Sequence, residues 1–173
     1  YTRSSDLMVD TKNEIWISTY GLGVYKISEF KTTRFDNTNG LSVEDVICLF
    51  QDNTGNTWMG TNGSGLYQYN GDAFINYNQL SGLGANIVRG LAFDKEQNIL
   101  VGTSVGIDKI LPDGRVIPFF RGNQYFNCLS IFKDSKSTIW ASFDNASGYF
   151  NKSKTFSPIN GLPTNVVVND FYE

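Results

Sequence analysis

Short apolar runs alternate with clusters of Gly, Asn, Asp and Ser along the whole chain, and no stretch keeps a 3.6-residue apolar period. The runs are rich in aromatic and β-branched residues, which predicts many short strands joined by tight turns and almost no helix. The clearest stretch predicts strands at 45–51, 57–61, 65–69 and 73–77. Between them stand Asp52-Asn53-Thr54-Gly55-Asn56, Asn62-Gly63-Ser64 and Asn70-Gly71-Asp72. Asp-x-x-Gly and Asn-Gly sequences make hairpins because their residues tolerate positive φ. The longer connection at 78–85 suits a link from the outer strand of one sheet to the inner strand of the next.

The pattern repeats. Asp10, Asp52, Asp94 and Asp134 stand 42, 42 and 40 residues apart. Six residues after each comes a large apolar residue: Trp16, Trp58, Leu100 and Trp140. Two further on comes a small one, Ser18, Gly60, Gly102 and Ser142, followed by Thr19, Thr61 and Thr103, with Phe143 as the exception. Gly40-Leu41, Gly82-Leu83 and Gly161-Leu162-Pro163 precede the next marker position by 12 residues. A period of about 40 residues with four strands per unit predicts propeller blades. The predicted fold is all-β: a β-propeller segment of four four-stranded blades, at about 1–36, 43–77, 86–120 and 126–159, plus one extra inner strand at 164–172. Such a chain starts and ends at the same phase of the repeat. It reads as a single segment of a larger propeller rather than a closed ring of four, which would leave 164–172 without a seat. An open arc exposes edge strands and apolar faces, so self-association, or cover by the remaining blades of a parent chain, is expected.

Composition narrows the chemistry. The 173 residues include 14 basic and 17 acidic side chains, 13 Phe, 9 Tyr, 3 Trp and no histidine. Without histidine there is no Ser–His–Asp or Cys–His mechanism and no histidine metal ligand. With a net charge of −3 and no basic block, nucleic-acid binding is not expected. The apolar runs are too short for a membrane helix, no signal peptide is visible at Tyr1, and no membrane contact by this segment is expected. Cys48 and Cys128 sit in apolar runs a whole blade apart, which predicts two free, buried thiols.

The sequence Asp52-Asn53-Thr54-Gly55-Asn56-Thr57-Trp58-Met59-Gly60-Thr61, followed by Gly65-Leu66-Tyr67, resembles the two-component regulator propeller repeat. So does Gly161-Leu162-Pro163-Thr164-Asn165 leading into three valines. The first and third units are similar, and the fourth is degenerate at Ala141-Ser142-Phe143. The resemblance implies an extracytoplasmic sensor region of a bacterial hybrid two-component histidine kinase, especially a carbohydrate-responsive one. It implies a periplasmic or extracytoplasmic location, with any kinase carried elsewhere in a parent chain.

Each conspicuous constellation also has a plain structural reading. The marker aspartates resemble a calcium loop in their spaced oxygens, yet Asp94-Lys95-Glu96-Gln97-Asn98 carries a lysine and no distal bidentate Glu follows, so hairpins and no metal are expected. The tryptophans could stack sugars, but their fixed strand position favours core packing. The glycines at 60–65 lack the Lys-Ser/Thr of a phosphate loop. Asn62, Asn145 and Asn151 begin Asn-x-Ser triplets, which are common by chance. Glu44 and Asp45 are neighbours on a strand, so they point to opposite faces and cannot share a proton. No catalytic residues and no cofactor are expected, and the segment reads as non-enzymatic.

The strongest departures from the repeat lie on one rim. The third-to-fourth link reads Phe120-Arg121-Gly122-Asn123-Gln124-Tyr125, and the neighbouring turn, read as lengthened, is Phe143-Asp144-Asn145-Ala146-Ser147. Tyr20 takes the matching turn position in the first blade, and Arg89 interrupts an apolar inner strand. Loops of a rigid scaffold carry individuality, and amides, charges and aromatic faces suit a polyhydroxylated ligand. The candidate ligand-binding set is therefore Arg121, Asn123, Gln124, Tyr125, Phe143, Asp144 and Asn145, with Tyr20 and Arg89 as outlying members. A plain Arg121–Asp144 pair tying the loops together is the structural alternative. The function expected is a non-catalytic sensor module, with an oligosaccharide as its possible ligand. The alternative is a structural or protein–protein interaction propeller.

Overall fold

The computed structural model describes residues 3–43, 45–121, 126–151, 153–162 and 168. Among the described residues sixteen strands form four antiparallel four-stranded sheets, each in sequential order. The first holds β1 (Ser4–Val9), β2 (Ile15–Thr19), β3 (Val24–Ile27) and β4 (Thr32–Phe35). The second holds β5 (Val46–Gln51), β6 (Thr57–Thr61), β7 (Leu66–Tyr69) and β8 (Phe74–Tyr77). The third holds β9 (Val88–Phe93), β10 (Ile99–Thr103), β11 (Gly106–Ile110) and β12 (Val116–Phe120). The fourth holds β13 (Cys128–Lys133), β14 (Ile139–Phe143), β15 (Ala146–Phe150) and β16 (Phe156–Pro158). Among the described residues the only helical element is one 3-10 turn, Gln79–Ser81. The strands foreseen at 57–61, 65–69 and 73–77 agree with β6 to β8 to within one residue. Apart from Val168, the extra strand foreseen at 164–172 lies outside the described residues.

The chain divides into two compact units, Tyr1–Asn78 with Asn86–Val88, and Gln79–Ala85 with Arg89–Glu173. The core of the first unit lies between its two sheets. Trp16, Val24, Phe35 and Leu41 meet Val46, Leu49, Met59 and Tyr67 there. Trp16 stacks on Phe35 with ring centroids 5.6 Å apart, and Tyr69 of the second sheet tilts against both rings. Alternation along β1 sends Met8 into this core and leaves Leu7 and Val9 exposed, 62% and 57%, on the other face of the sheet. The second unit packs Leu100, Ile107, Cys128, Ile131, Ala141, Phe143 and Phe150 into its own core, with Phe119, Phe120, Phe126 and Phe156 around them.

Trp16, Trp58, Leu100 and Trp140 occupy the same second place in β2, β6, β10 and β14, opposite Lys26, Gln68, Lys109 and Tyr149. The first three are buried and Trp140 is half-buried. The β6–β7 turn ends at Gly65, whose φ is +83°, and a Cβ there would collide with the Tyr77 carbonyl oxygen. Only glycine lets the outer strand pass so close. Neither cysteine is in a disulfide; Cys128 is buried and Cys48 half-buried, and desolvation pushes the Cys48 thiol up to about 12.

Candidate functional site

The marker aspartates close the first hairpin of each sheet. In the second sheet one Asp52 oxygen accepts the backbone N–H of Thr54 (3.0 Å) and of Asn56 (2.8 Å). The other accepts the Trp58 indole N–H at 2.9 Å. Asp10 does the same for Lys12, Glu14 and Trp16, and Asp134 for Thr138 and Trp140. The residue three beyond each aspartate has positive φ: Asn13, Gly55, Gln97 and Ser137. The loops are hairpins whose carboxylates are filled by N–H donors and, at Asp52, by the Thr54 hydroxyl as well (2.6 Å), and the indole donor is why the apolar residue six positions on is so often Trp.

Burial alone would raise the Asp10, Asp52 and Asp94 carboxyls, but hydrogen bonds outweigh it and hold all three below the ordinary 3.8, led by the Trp16 indole at Asp10, the Thr54 hydroxyl at Asp52 and the Lys109 ammonium at Asp94. The Trp140 indole lowers Asp134 in the same way. With folded values depressed, this contribution to stability is complete above the unfolded pKa and drains away as pH falls through the folded ones. Chemical denaturation of the intact protein should show a midpoint that drops on acidification below about pH 4. Asp52→Asn, which cannot titrate, should flatten part of that slope. A midpoint unchanged between pH 3 and pH 6, to take two round values spanning the carboxylate range, would remove the hairpin carboxylates from the stability account.

The third sheet departs from the rule because the Leu100 side chain has no N–H to offer. There the second Asp94 oxygen takes Asn98 Nδ2 at 2.8 Å and an ion pair from Lys109 Nζ. Lys109 also stands over the Phe119 ring, 5.5 Å from its centroid. Lys26, its counterpart in the first sheet, pairs with Glu14 and stands over Trp16 instead. Beside Lys109 lies Asp108, in the strand place that Tyr25 and Tyr67 fill elsewhere, with its side chain fully buried. It accepts the Gly84 amide N–H at 2.9 Å and pairs with the Arg121 guanidinium. Burial raises the Asp108 carboxyl above its ordinary value, partly offset by the Gly84 amide and the Arg121 charge. Neither charged residue was expected to matter. The signal stands in Gly106-Ile107-Asp108-Lys109-Ile110, two charges in a place where the second sheet has Tyr67 and Gln68.

The rim set is only partly brought together. Asn123, Gln124 and Tyr125 lie outside the described residues. Arg121 faces Asp108 and the Ile107 carbonyl (3.1 Å), not Asp144 as the structural alternative supposed. Phe143 is fully buried at the end of β14, with Phe126 and Phe156 each 5.2 Å away. The fourth-sheet turn is not lengthened, because Phe143 pairs directly with Ala146 across Asp144 and Asn145. The reading failed there because a phenylalanine at a strand end can turn into the core as readily as out of it. Arg89 donates to Asn127 Oδ1 (2.8 Å), and Asn127 Nδ2 donates to Asp144 (3.0 Å), so Arg89, Asp144 and the exposed Asn145 share one surface. Tyr20 belongs to the other unit, where the Arg3 guanidinium stands 5.7 Å from its ring centroid.

A concavity opens at the opposite edge of the third and fourth sheets. It encloses about 830 Å³. Its walls are the β9–β10, β13–β14 and β15–β16 turns, its base includes Phe119, Ile139 and Phe150, and Asn98, Asn151 and Thr138 add polar groups. Lys95, Lys109, Lys136 and Lys154 line it against Asp94 and Glu96. Apolar walls with a few convergent polar groups are the usual form of a small-ligand site.

Residues 40–63 match the family model of the two component regulator propeller. No curated protein sequence matches the chain. Among solved structures the chain is similar to the extracellular domain of BT3049, a hybrid two component system protein of B. thetaiotaomicron, at 22% identity and TM-score 0.76, covering 92% of this chain and 23% of that one. The extracellular domain of BT4673 from the same organism is similar at 22% identity and TM-score 0.77, over 96% of this chain and 24% of that one. A virginiamycin B lyase of Staphylococcus aureus, solved in a form inactivated by a histidine-to-alanine change, matches at 19% identity and TM-score 0.76, over 92% of this chain and 57% of that one. The chain thus spans about a quarter of those two extracellular domains and just over half of the lyase. Identities this low speak for the fold alone. The chain carries a two component regulator propeller repeat at residues 40–63, set in an all-β, propeller-type fold of four antiparallel sheets.

Proposed function

We propose that this chain is a non-catalytic, ligand-recognising propeller segment of a bacterial extracytoplasmic two-component sensor, and that its ligand is a carbohydrate. The observation that carries the reading is the repeat match at 40–63 on a fold held in common with extracellular domains of two component systems. Those neighbours being extracellular supports a periplasmic location. A lyase on the same fold raises enzymatic chemistry as a competitor, but these 173 residues contain no histidine to stand where that lyase's altered one does. The concavity of the second unit, with Phe119 at its base and Asn98 and Asn151 at its edge, offers an apolar face and amides to a sugar ring. The exposed Leu7, Val9 and Ile15 favour a further reading in which other blades of a parent chain, or a second copy, cover the first sheet.

Thermal unfolding of the intact protein across a panel of soluble glycans tests the assignment. A binder present at a hundredfold excess over its Kd should stabilise by about 2.7 kcal/mol and raise Tm by several degrees. A flat panel, with a protein partner alone shifting the transition, would replace ligand sensing by the interaction reading.

A further inference from the structure

We propose that the concavity between the third and fourth sheets takes a saccharide bearing an acidic group, a carboxylate or sulfate, held by Lys136 and Lys154. This deepens the carbohydrate reading above and rests on it for the sugar.

The argument is one of charge. Four lysines and two carboxylates line the concavity, in a chain whose net charge is −3. Positive charge is gathered here against the sign of the whole. Two of the lysines are already neutralised, Lys109 by Asp94 and Lys95 by Glu96 at 3.4 Å. Lys136 and Lys154 have no ion-pair partner among the described residues, and both are exposed on turns. Lys154 is not simply pointing into solvent. Its ammonium stands 6.0 Å from the Phe119 centroid, and the Lys109 ammonium stands 5.5 Å from the same ring. One aromatic ring therefore stands near two ammonium groups, and at 6.0 Å Lys154 lies at the outer limit of a cation–π contact. Like charges gathered around one apolar wall raise the potential inside a concavity and favour an anion that enters it. The backbone of Lys154 is committed as well, with φ +59°, because Asn151 accepts the N–H groups of Ser153 and Thr155 and closes the turn. The turn aims the lysine without depending on its charge.

Titration calorimetry on the intact protein, with trigalacturonate, neutral galactotriose, inorganic sulfate and citrate as probes, separates the possibilities. Trigalacturonate should bind more tightly than galactotriose, and its affinity should fall as salt is raised. Lys136→Gln and Lys154→Gln should each weaken trigalacturonate by roughly tenfold, less than for a buried charge pair because both lysines are exposed, without moving Tm. If galactotriose binds as tightly, or if both variants bind trigalacturonate like the parent, the acidic-group assignment is overturned while carbohydrate sensing stands. If sulfate or citrate matches trigalacturonate and still depends on the two lysines, the anion site stands and the carbohydrate reading falls. Failure of all four probes to bind overturns both.

Discussion

Arg121→Ala is expected to destabilise the intact protein by about 3 kcal/mol, the lower end of the cost of breaking a buried ion pair, since the arginine itself is partly exposed. The Asp108 side chain is fully buried, and its remaining partner is the Gly84 amide. Removing the guanidinium strands a carboxylate that burial already pushes toward protonation. Because that folded value lies above the unfolded one, the carboxyl stabilises the fold below the unfolded pKa and less as pH rises through the folded one. The loss in Arg121→Ala should therefore be smaller under acid conditions than at neutral pH. Combining Arg121→Ala with Asp108→Asn should recover part of the loss, since an uncharged amide is far less costly to bury than a lone carboxylate. Denaturant melts of the two single variants and the double variant give the coupling directly. A neutral-pH melt of Arg121→Ala within a few tenths of a kcal/mol of the parent would return Arg121 to the solvent-facing, ligand-ready role that its place in a variable link suggested.

Trp58→Ala should cost about 3–5 kcal/mol, as large core truncations do. Two losses combine. The ring is 4% exposed and tilts against Tyr77 at 5.7 Å, so truncation opens a cavity. It also deprives Asp52 of its indole donor. Trp58→Phe separates the two, keeping most of the packing and losing the hydrogen bond, which to a charged acceptor is worth about 1.5–3 kcal/mol. Asp52 retains Asn56 Nδ2 on the same oxygen at 2.8 Å, which places the Phe variant at the low end. If the Ala and Phe variants melt together, the indole N–H carries the whole effect and the cavity none.

Three of the nine candidate residues lie outside the described residues, and of the rest the structure gathers Arg89, Asp144 and Asn145 on one surface while it turns Phe143 inward and pairs Arg121 with Asp108. Departures from a repeat mark individuality, but they do not say which way the individual side chain turns. Phe143 breaks the Thr19, Thr61 and Thr103 series and ends in the core among phenylalanines. Asp108 and Lys109 break the strand pattern as plainly, yet one is buried against an arginine and the other replaces a missing indole on Asp94. The concavity at the opposite edge is assembled from three turns, each unremarkable by itself. Two of those turns open on the marker aspartates Asp94 and Asp134, whose spacing points to hairpins and nothing more.

The amino-acid sequence by itself determined the repeat, the strands and the hairpins, because their causes are local. An aspartate reaches the N–H groups two and four residues on and an indole six residues on, whatever surrounds it. A glycine at Gly65 permits its turn from its own backbone freedom, and strand alternation follows from the pleat. Only the tertiary structure decided the partners of Asp108 and Lys109, which lie 13 and 15 residues away in the chain and depend on strand register. It also decided the gathering of Lys109, Lys136 and Lys154 about one concavity, since packing two sheets together sets distances that no spacing along the chain encodes.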